Sequence, residues 1–189
     1  MNYLAHAWLS GPNEGVMVGN FIADHLRGND FSRFSEEVVQ GIKMHRAIDQ
    51  FTDSHPNFRA SKRQFYSSFN RHSGILTDIY YDYLLAKDFR RHTGQELNVF
   101  AQGAYKVYTN HFSNIPESAQ RFYHYLIKNN IYESYATQEG IVTVLMHLSH
   151  RIGHGVLLQA SITDFQAAEA AIAADFDTFI KDLKKEFGI

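Results

Sequence analysis

The sequence of 189 residues contains no cysteine, and only 3 prolines and 12 glycines. Without cysteine, neither a disulfide framework nor a zinc site built on thiolates can form. So few prolines and glycines argue against a fibrous or loop-rich architecture. Neither sign of charge is in excess, since 18 lysines and arginines stand against 20 aspartates and glutamates. A net charge of −2 gives no global positive field, and we therefore expect no nucleic-acid partner.

Long apolar runs are also missing. No stretch approaches the roughly 20 apolar residues that cross a bilayer, and the first residues lack the basic region and apolar run of a secretion signal. We therefore expect no insertion into membranes, and the absence of cysteine is compatible with a cytoplasmic location. The hydrophobic fraction of 44% is nevertheless sufficient for a core, and we expect residues 1–189 to form a single domain.

The apolar residues recur with the period of an α-helix. The clearest example is the last segment, where eight apolar residues from Ile162 to Phe187 step by three or four positions and share one helical face. No segment sustains the alternation of a strand. The sequence thus predicts an all-α, single-domain helical bundle. Similar patterns predict earlier helices near residues 2–10, 16–27, 35–53, 57–70, 74–91, 97–112, 117–130 and 138–150.

Polar residues interrupt the apolar faces of these helices in pairs four residues apart. The pairs are Asn2 and His6, Asn20 and Asp24, His45 and Asp49, and Asp78 and Asp82. An ionised carboxylate on an inward face costs several kcal/mol unless a cation neutralises it. Lysine and arginine are scarce on these faces, whereas a divalent metal binds carboxylate oxygen and imidazole nitrogen together. The pattern therefore predicts a metal site.

Simpler interpretations of the same residues remain open. A single histidine–aspartate pair is more often a hydrogen bond than a metal site, and Asp49 could instead accept from Arg46 or cap the next helix. His147, His150 and His154 step by three and four residues, but no acidic residue accompanies them, so they are weaker candidates for ligands.

Basic residues are concentrated between positions 27 and 71, where eight lysines and arginines stand against five acidic residues. A basic surface beside a metal pocket suits an anionic or acidic partner. An ordinary solvated surface explains the same charges equally well.

Four short segments of the first part of the chain, followed by four single residues, form a recognisable series: residues 1–6 (MNYLAH), 19–24 (GNFIAD), 41–49 (GIKMHRAID) and 51–56 (FTDSHP), then Gly74, Ile75, Asp78 and Asp82. In this order they resemble the bacterial acyl carrier protein phosphodiesterases. The likeness is dense over residues 1–90 and beyond them is limited to residues 140–141 and 149–151. It implies an altered relative of the HD-type metal phosphohydrolases, although this sequence has no adjacent His-Asp pair, and Tyr83 follows Asp82 where the family usually has histidine.

The resemblance implies a cytoplasmic hydrolase that depends on Mn²⁺ or Mg²⁺. Such enzymes cut the phosphodiester between 4′-phosphopantetheine and a serine of holo-acyl carrier protein, an acidic protein, and leave the apo form. From the polar pairs we expect Asp24, His45, Asp49 and either Asp78 or Asp82 to hold one or two divalent ions. We expect the catalytic residues to be His6, Asp24, His25 and Arg46, with His6 preferred over His25 as the proton donor. We expect substrate contacts from Asn2, Asn20, Arg27 and Arg46.

Two other functions remain open from the sequence. The first is an HD-type phosphohydrolase that acts on a nucleotide or another small phosphoester. The second is a non-catalytic helical protein that binds a metal, a haem or a partner helix. Assays with carrier protein and with nucleotides distinguish the two enzymes, and the metal content of the purified protein tests the non-catalytic alternative.

Overall fold

The computed structural model describes residues 3–28, 30–153 and 155–189. All regular elements in these residues are helical, as the periodicity of the sequence predicted, and the all-α bundle is confirmed. The α-helices, numbered along the chain, are α1 (Tyr3–Leu9), α2 (Glu14–Ile22), α3 (Glu36–Ser54), α4 (Pro56–Gln64), α5 (Tyr66–Phe69), α6 (Ser73–Lys87), α7 (Phe89–Thr93), α8 (Leu97–Asn110), α9 (Glu117–Lys128), α10 (Ile131–Ser134), α11 (Gln138–Ile152) and α12 (Ser161–Phe187).

The helix predicted over residues 16–27 ends as an α-helix at Ile22. It continues as a 3-10 helix, Ala23–His25, which is a common way for the last turn of a helix to tighten. Two other predicted helices are divided, one between α4 and α5 and one between α6 and α7. The tight turn after α2 matters for the site, because it holds Asp24 and His25.

The helix starts follow from local chemistry. The side chains of Ser35 and Thr137 accept from backbone N–H groups in the first turns of α3 and α11. Pro56 occupies the first turn of α4, where its missing N–H has no helical partner to lose. These residues fix where α3, α4 and α11 begin.

The long helix α12 packs against α4 and α6. Its inward face is the one that the sequence predicted, and Phe165, Ile172 and Phe176 on it are almost fully buried. Tyr80 of α6 stacks on Phe165 with ring centroids 4.2 Å apart. This stacking joins α6 to α12 within the core. None of the helices in the described ranges has the length and apolarity to span a membrane.

The helices α2 and α3 pack backbone against backbone. A Cβ placed on Gly19 would lie 2.0 Å from the carbonyl oxygen of Val38, and one on Gly41 would lie 2.1 Å from that of Val16. Only glycine fits at such distances. Since Asn20 follows Gly19 and His45 lies one turn after Gly41, this close crossing brings their side chains together.

Candidate functional site

Two histidines and two aspartates meet where α1, α3 and the 3-10 helix converge. Nε2 of His6 lies 3.3 Å from Oδ1 of Asp49, and Nε2 of His45 lies 3.2 Å from Oδ2 of the same residue. Nε2 of His45 also lies 3.0 Å from Oδ1 of Asp24. The histidines are buried, whereas the side chains of Asp24 and Asp49 are about half exposed, at 53% and 46%. The cluster is therefore open on its carboxylate side.

Asn20 orients both histidine rings from behind. Its Oδ1 lies 2.9 Å from Nδ1 of His6 and 3.0 Å from Nδ1 of His45. Its Nδ2 donates to the carbonyl oxygen of His6 and to Oγ of Ser10, at 2.9 and 3.0 Å, and these bonds keep the amide oxygen turned toward the rings. Because an amide oxygen only accepts, both Nδ1 atoms must donate their hydrogens to it. A buried partner behind a histidine is the usual second layer of a metal site.

This arrangement requires a positive charge between each Nε2 atom and the carboxylate oxygen that it faces. A neutral imidazole that donates from Nδ1 has a lone pair at Nε2. In this cluster each such lone pair would face a carboxylate oxygen about 3 Å away, which is repulsive unless a proton or a metal cation lies between them. Two protons would make two cations of rings that stack with centroids 4.1 Å apart. One divalent cation meets the requirement for both rings.

The pKa shifts of the two histidines differ in direction. Burial lowers the pKa of His6 and outweighs its hydrogen bond to Asp49. Burial opposes protonation of His45 too, but hydrogen bonds to Asp24 and Asp49 outweigh it and raise the pKa to about 9. Burial alone would raise the pKa values of Asp24 and Asp49, but their hydrogen bonds to His45 outweigh this effect and lower both pKa values. Without a metal, these shifts favour a proton on His45 and disfavour one on His6.

The donor atoms are spaced like neighbouring ligands of one ion. Ligand bonds of about 2.1 Å at right angles separate two donor atoms by about 3.0 Å. The measured separations are 3.0, 3.2 and 3.3 Å. The donors of His6, His45 and Asp49 all lie within 4.8 Å of one another. Two imidazole nitrogens and carboxylate oxygens fit Mn²⁺ and similar divalent ions, so these residues fit the predicted metal.

The cluster lies in the wall of a cavity of about 1060 Å³. Near the cluster this wall also includes Asp53 of α3 and Asp78 of α6. Apolar residues such as Ile75 and Ile79 line it as well, so the cavity combines charged and apolar surface. A concave site of this size, with a few converging polar groups, is typical of pockets that bind a small organic ligand.

The structure brings together many of the residues that the sequence singled out. In the described residues, His6, Asp24, His25, His45, Asp49 and Asp78 line the cavity, and Asn20 supports it. His6, expected to be a proton donor, lies among the donors of the candidate metal site. Nε2 of His25 is buried without a hydrogen-bond partner in the part of the chain that the structure describes. Asn2 and His154 lie outside the described residues.

Other predicted residues lie elsewhere. Asp82 is fully buried outside the cavity wall, and its Oδ2 accepts from the backbone N–H of Leu4 at 2.8 Å. Arg46 donates from Nη2 to the carbonyl oxygen of Gly28 at 3.0 Å, and its guanidinium lies over the ring of Phe31. Arg27 is exposed and does not appear among the described cavity residues.

On the side of the cavity formed by α9 and α11, the sequence singled out only His147, as a weaker candidate for a ligand. On each helix, four cavity residues recur with the spacing i, i+3, i+4, i+7, which is one helical face. That spacing was available from the sequence, but neither face has the paired carboxylates that drew attention to the other helices. The residues are Ser118, Arg121, Phe122 and Tyr125 of α9, and Val144, His147, Leu148 and Arg151 of α11.

Comparison with known proteins gives one consistent result. A family model described as acyl carrier protein phosphodiesterase matches residues 1–183. A protein of that name from Pectobacterium atrosepticum is 31% identical over 167 residues, which cover 88% of this chain and 86% of the relative. Another from Serratia proteamaculans is 29% identical and covers 98% and 97%. One from Escherichia coli O157:H7 is 32% identical and covers 95% and 93%. No solved structure matches the chain.

Proposed function

Because the chain belongs to the acyl carrier protein phosphodiesterase family, we propose that it is a metal-dependent phosphodiesterase that acts on holo-acyl carrier protein. Water cleaves the phosphodiester that joins 4′-phosphopantetheine to a serine of the carrier protein. The products are 4′-phosphopantetheine, which keeps the phosphate, and the apo protein, which regains its serine hydroxyl.

The observation that supports the metal is the pair of histidines turned by Asn20 toward shared carboxylates. His6, His45 and Asp49 would hold the ion, and Asp24 supplies a further oxygen 3.0 Å from Nε2 of His45. When bound, a divalent ion lowers the pKa of water and neutralises charge on the phosphoryl oxygens. Asp78 lies in the same cavity wall and is our candidate to contact a second ion.

The serine oxygen that leaves needs a proton, and His25 is the better candidate to supply it. Both ring nitrogens of His6 already contact Asn20 and Asp49. The Nε2 of His25 has no hydrogen-bond partner within the described residues, and the ring lines the cavity. Burial lowers the pKa of His25, so its protonated form is a stronger acid than an exposed imidazolium.

The cavity and the surface support the choice of substrate. A volume of about 1060 Å³ is at the upper end of pockets that enclose a drug-sized ligand, which suits the extended phosphopantetheine group. The basic excess between residues 27 and 71 suits an acidic carrier protein. Attraction of this kind weakens as salt rises.

The test is release of phosphopantetheine from holo-acyl carrier protein by chelator-treated enzyme, with and without added Mn²⁺ or Mg²⁺. We expect the wild type to be active only with metal. We expect the Asp49→Asn and His45→Gln variants to lose both activity and bound metal. Asp177→Asn, a surface change on α12 far along the chain from the cluster, is the matched control. Wild-type turnover and metal content in both cluster variants would refute the metal site. Hydrolysis of nucleotides instead of carrier protein would keep the site and change the substrate.

A further inference from the structure

Two arginines reach the cavity from helices that supply none of the cluster residues. Arg121 shares its face of α9 with Phe122 and Tyr125, and Arg151 lies one turn beyond His147 on α11. Arg27 and Arg46, the arginines that we expected from the sequence to contact the substrate, are not among the described cavity residues. Among the described residues, the arginines of the cavity wall therefore come from the second half of the chain.

Within the described residues, neither arginine forms an ion pair with a carboxylate. In the ranges that the structure describes, Arg90 pairs with Glu96 and Arg91 with Asp177, whereas Arg121 and Arg151 form no ion pair. A guanidinium presents a planar set of donors that fits two oxygens of a phosphate at once. Two such groups in one cavity wall, with no internal partner, leave this binding capacity available to a ligand.

The charge of Arg151 extends to the residues next to the metal cluster. It opposes the rise that burial causes in the pKa of Tyr3, and it adds to the fall that burial causes in the pKa of His25. Tyr3 lies one turn before His6 on α1, and His25 is adjacent to Asp24. The guanidinium of Arg151 is therefore close enough to Tyr3 and His25 for its charge to act on them.

We propose that Arg121 and Arg151 form an anion subsite that binds the phosphodiester of the substrate while the ion held by the His6–His45–Asp49 cluster contacts the same group. The proposal rests on the proposed function for the identity of the phosphodiester. A phosphodiester has one negative charge shared by two non-bridging oxygens. A cation on one side and a guanidinium on another would together neutralise that charge. The two arginines thus supply the basic side chains that the cluster itself lacks.

The test is binding of two probes, inorganic phosphate and 4′-phosphopantetheine, to the Mn²⁺-loaded protein by calorimetry. Loss of a charge-assisted contact lowers affinity by about 10-fold or more, so we expect that loss in Arg151→Gln and in Arg121→Gln. Arg151→Lys keeps the charge but not the paired donors, and we expect it to lie between wild type and Arg151→Gln. Arg71→Gln, on the surface beside His72, is the control and should bind as the wild type does.

The bound Mn²⁺ should stay at the wild-type value in the Arg121 and Arg151 variants, because neither arginine is among the donors of the cluster. Wild-type affinity in both glutamine variants would overturn the subsite, as would a loss confined to Arg46→Gln or a wild type that binds neither probe. If the wild type binds phosphopantetheine but releases none from carrier protein, the proposed reaction fails while the subsite stands. If turnover is normal but both glutamine variants keep wild-type KM, the reaction stands and the subsite fails.

Discussion

Gly19 of α2 and Gly41 of α3 lie directly against each other, so that a Cβ on Gly19 would be 3.0 Å from the Cα of Gly41. No side chain fits between the two backbones. The contact sets the separation of Asn20 from His45, whose hydrogen bond is 3.0 Å long. A packing contact between two residues with no chemistry of their own thus determines the geometry of the candidate metal site.

We predict that Gly41→Ala destabilises the protein and weakens metal binding. The added methyl would lie 2.1 Å from the carbonyl oxygen of Val16, which is backbone and cannot rotate away. Overpacking of this kind costs about 1–3 kcal/mol, and each kcal/mol lowers the melting temperature of a chain of this size by about 2–4 °C. Calorimetric melting and Mn²⁺ titration measure the two effects.

Gly103→Ala is the control for that prediction, because a Cβ at Gly103 in α8 meets nothing within 4 Å. Replacing a helical glycine where space is open stabilises by about 0.4–1 kcal/mol. The two substitutions should therefore shift the melting temperature in opposite directions. Equal shifts would mean that the α2–α3 contact does not constrain the fold.

Asn20 should control metal affinity without being a ligand. Asn20→Leu keeps the approximate shape but removes the oxygen that holds both Nδ1–H groups, and loss of such a supporting bond typically weakens metal binding about 10–100-fold. Asn20→Asp keeps an accepting oxygen and should bind Mn²⁺ more tightly than Asn20→Leu. Isothermal titration with Mn²⁺ compares them. Ser10→Ala is the control, because it removes a bond to Nδ2 and one to the carbonyl oxygen of His6 but leaves the Asn20 oxygen in place. Equal affinity in all four proteins would count against this role.

Asp82 should affect stability rather than metal binding. Its Oδ2 accepts from the N–H of Leu4 in the first turn of α1, which has no acceptor within its own helix. Asp82→Ala leaves that buried group unpaired, at a cost of about 1–3 kcal/mol, whereas Asp82→Asn keeps an accepting oxygen. We expect both variants to bind as much Mn²⁺ per chain as the wild type, measured by atomic absorption after dialysis. If Asp82→Asn lost the ion as Asp49→Asn does, Asp82 would be a ligand.

The sequence predicted the helices well because apolar residues at helical spacing form the face that each helix buries against its neighbours. The face of α12 from Phe165 to Leu183 is buried as that spacing requires. The sequence also singled out His45 and Asp49, since their i, i+4 spacing on an apolar face predicts a shared partner. It did not separate Asp82 from them, because a buried carboxylate that caps another helix produces the same pattern as a metal ligand.

The remaining features of the site depend on contacts between distant segments. Spacing cannot show that Asn20 contacts both His6 and His45, since this follows from the crossing of α2 with α3. Nor does it show that Arg151 faces the same cavity as Asp24, which lies more than a hundred residues earlier. Local pattern predicts which residues turn inward, and only tertiary packing determines which of them meet.

The stability of the metal-free protein should fall as pH rises through the titration of His45. Burial alone would lower its pKa, but hydrogen bonds to Asp24 and Asp49 raise it to about 9 in the folded protein, against 6.5 for an ordinary histidine. The folded state therefore binds this proton more tightly, so the stabilisation is complete below pH 6.5 and is lost as the pH approaches 9. Chelator-treated wild type should lose melting temperature across this range, and His45→Gln should lose less. Saturating Mn²⁺ should remove the difference in slope, because the ion replaces the proton. Parallel curves for the two chelator-treated proteins would show that His45 does not hold the proton.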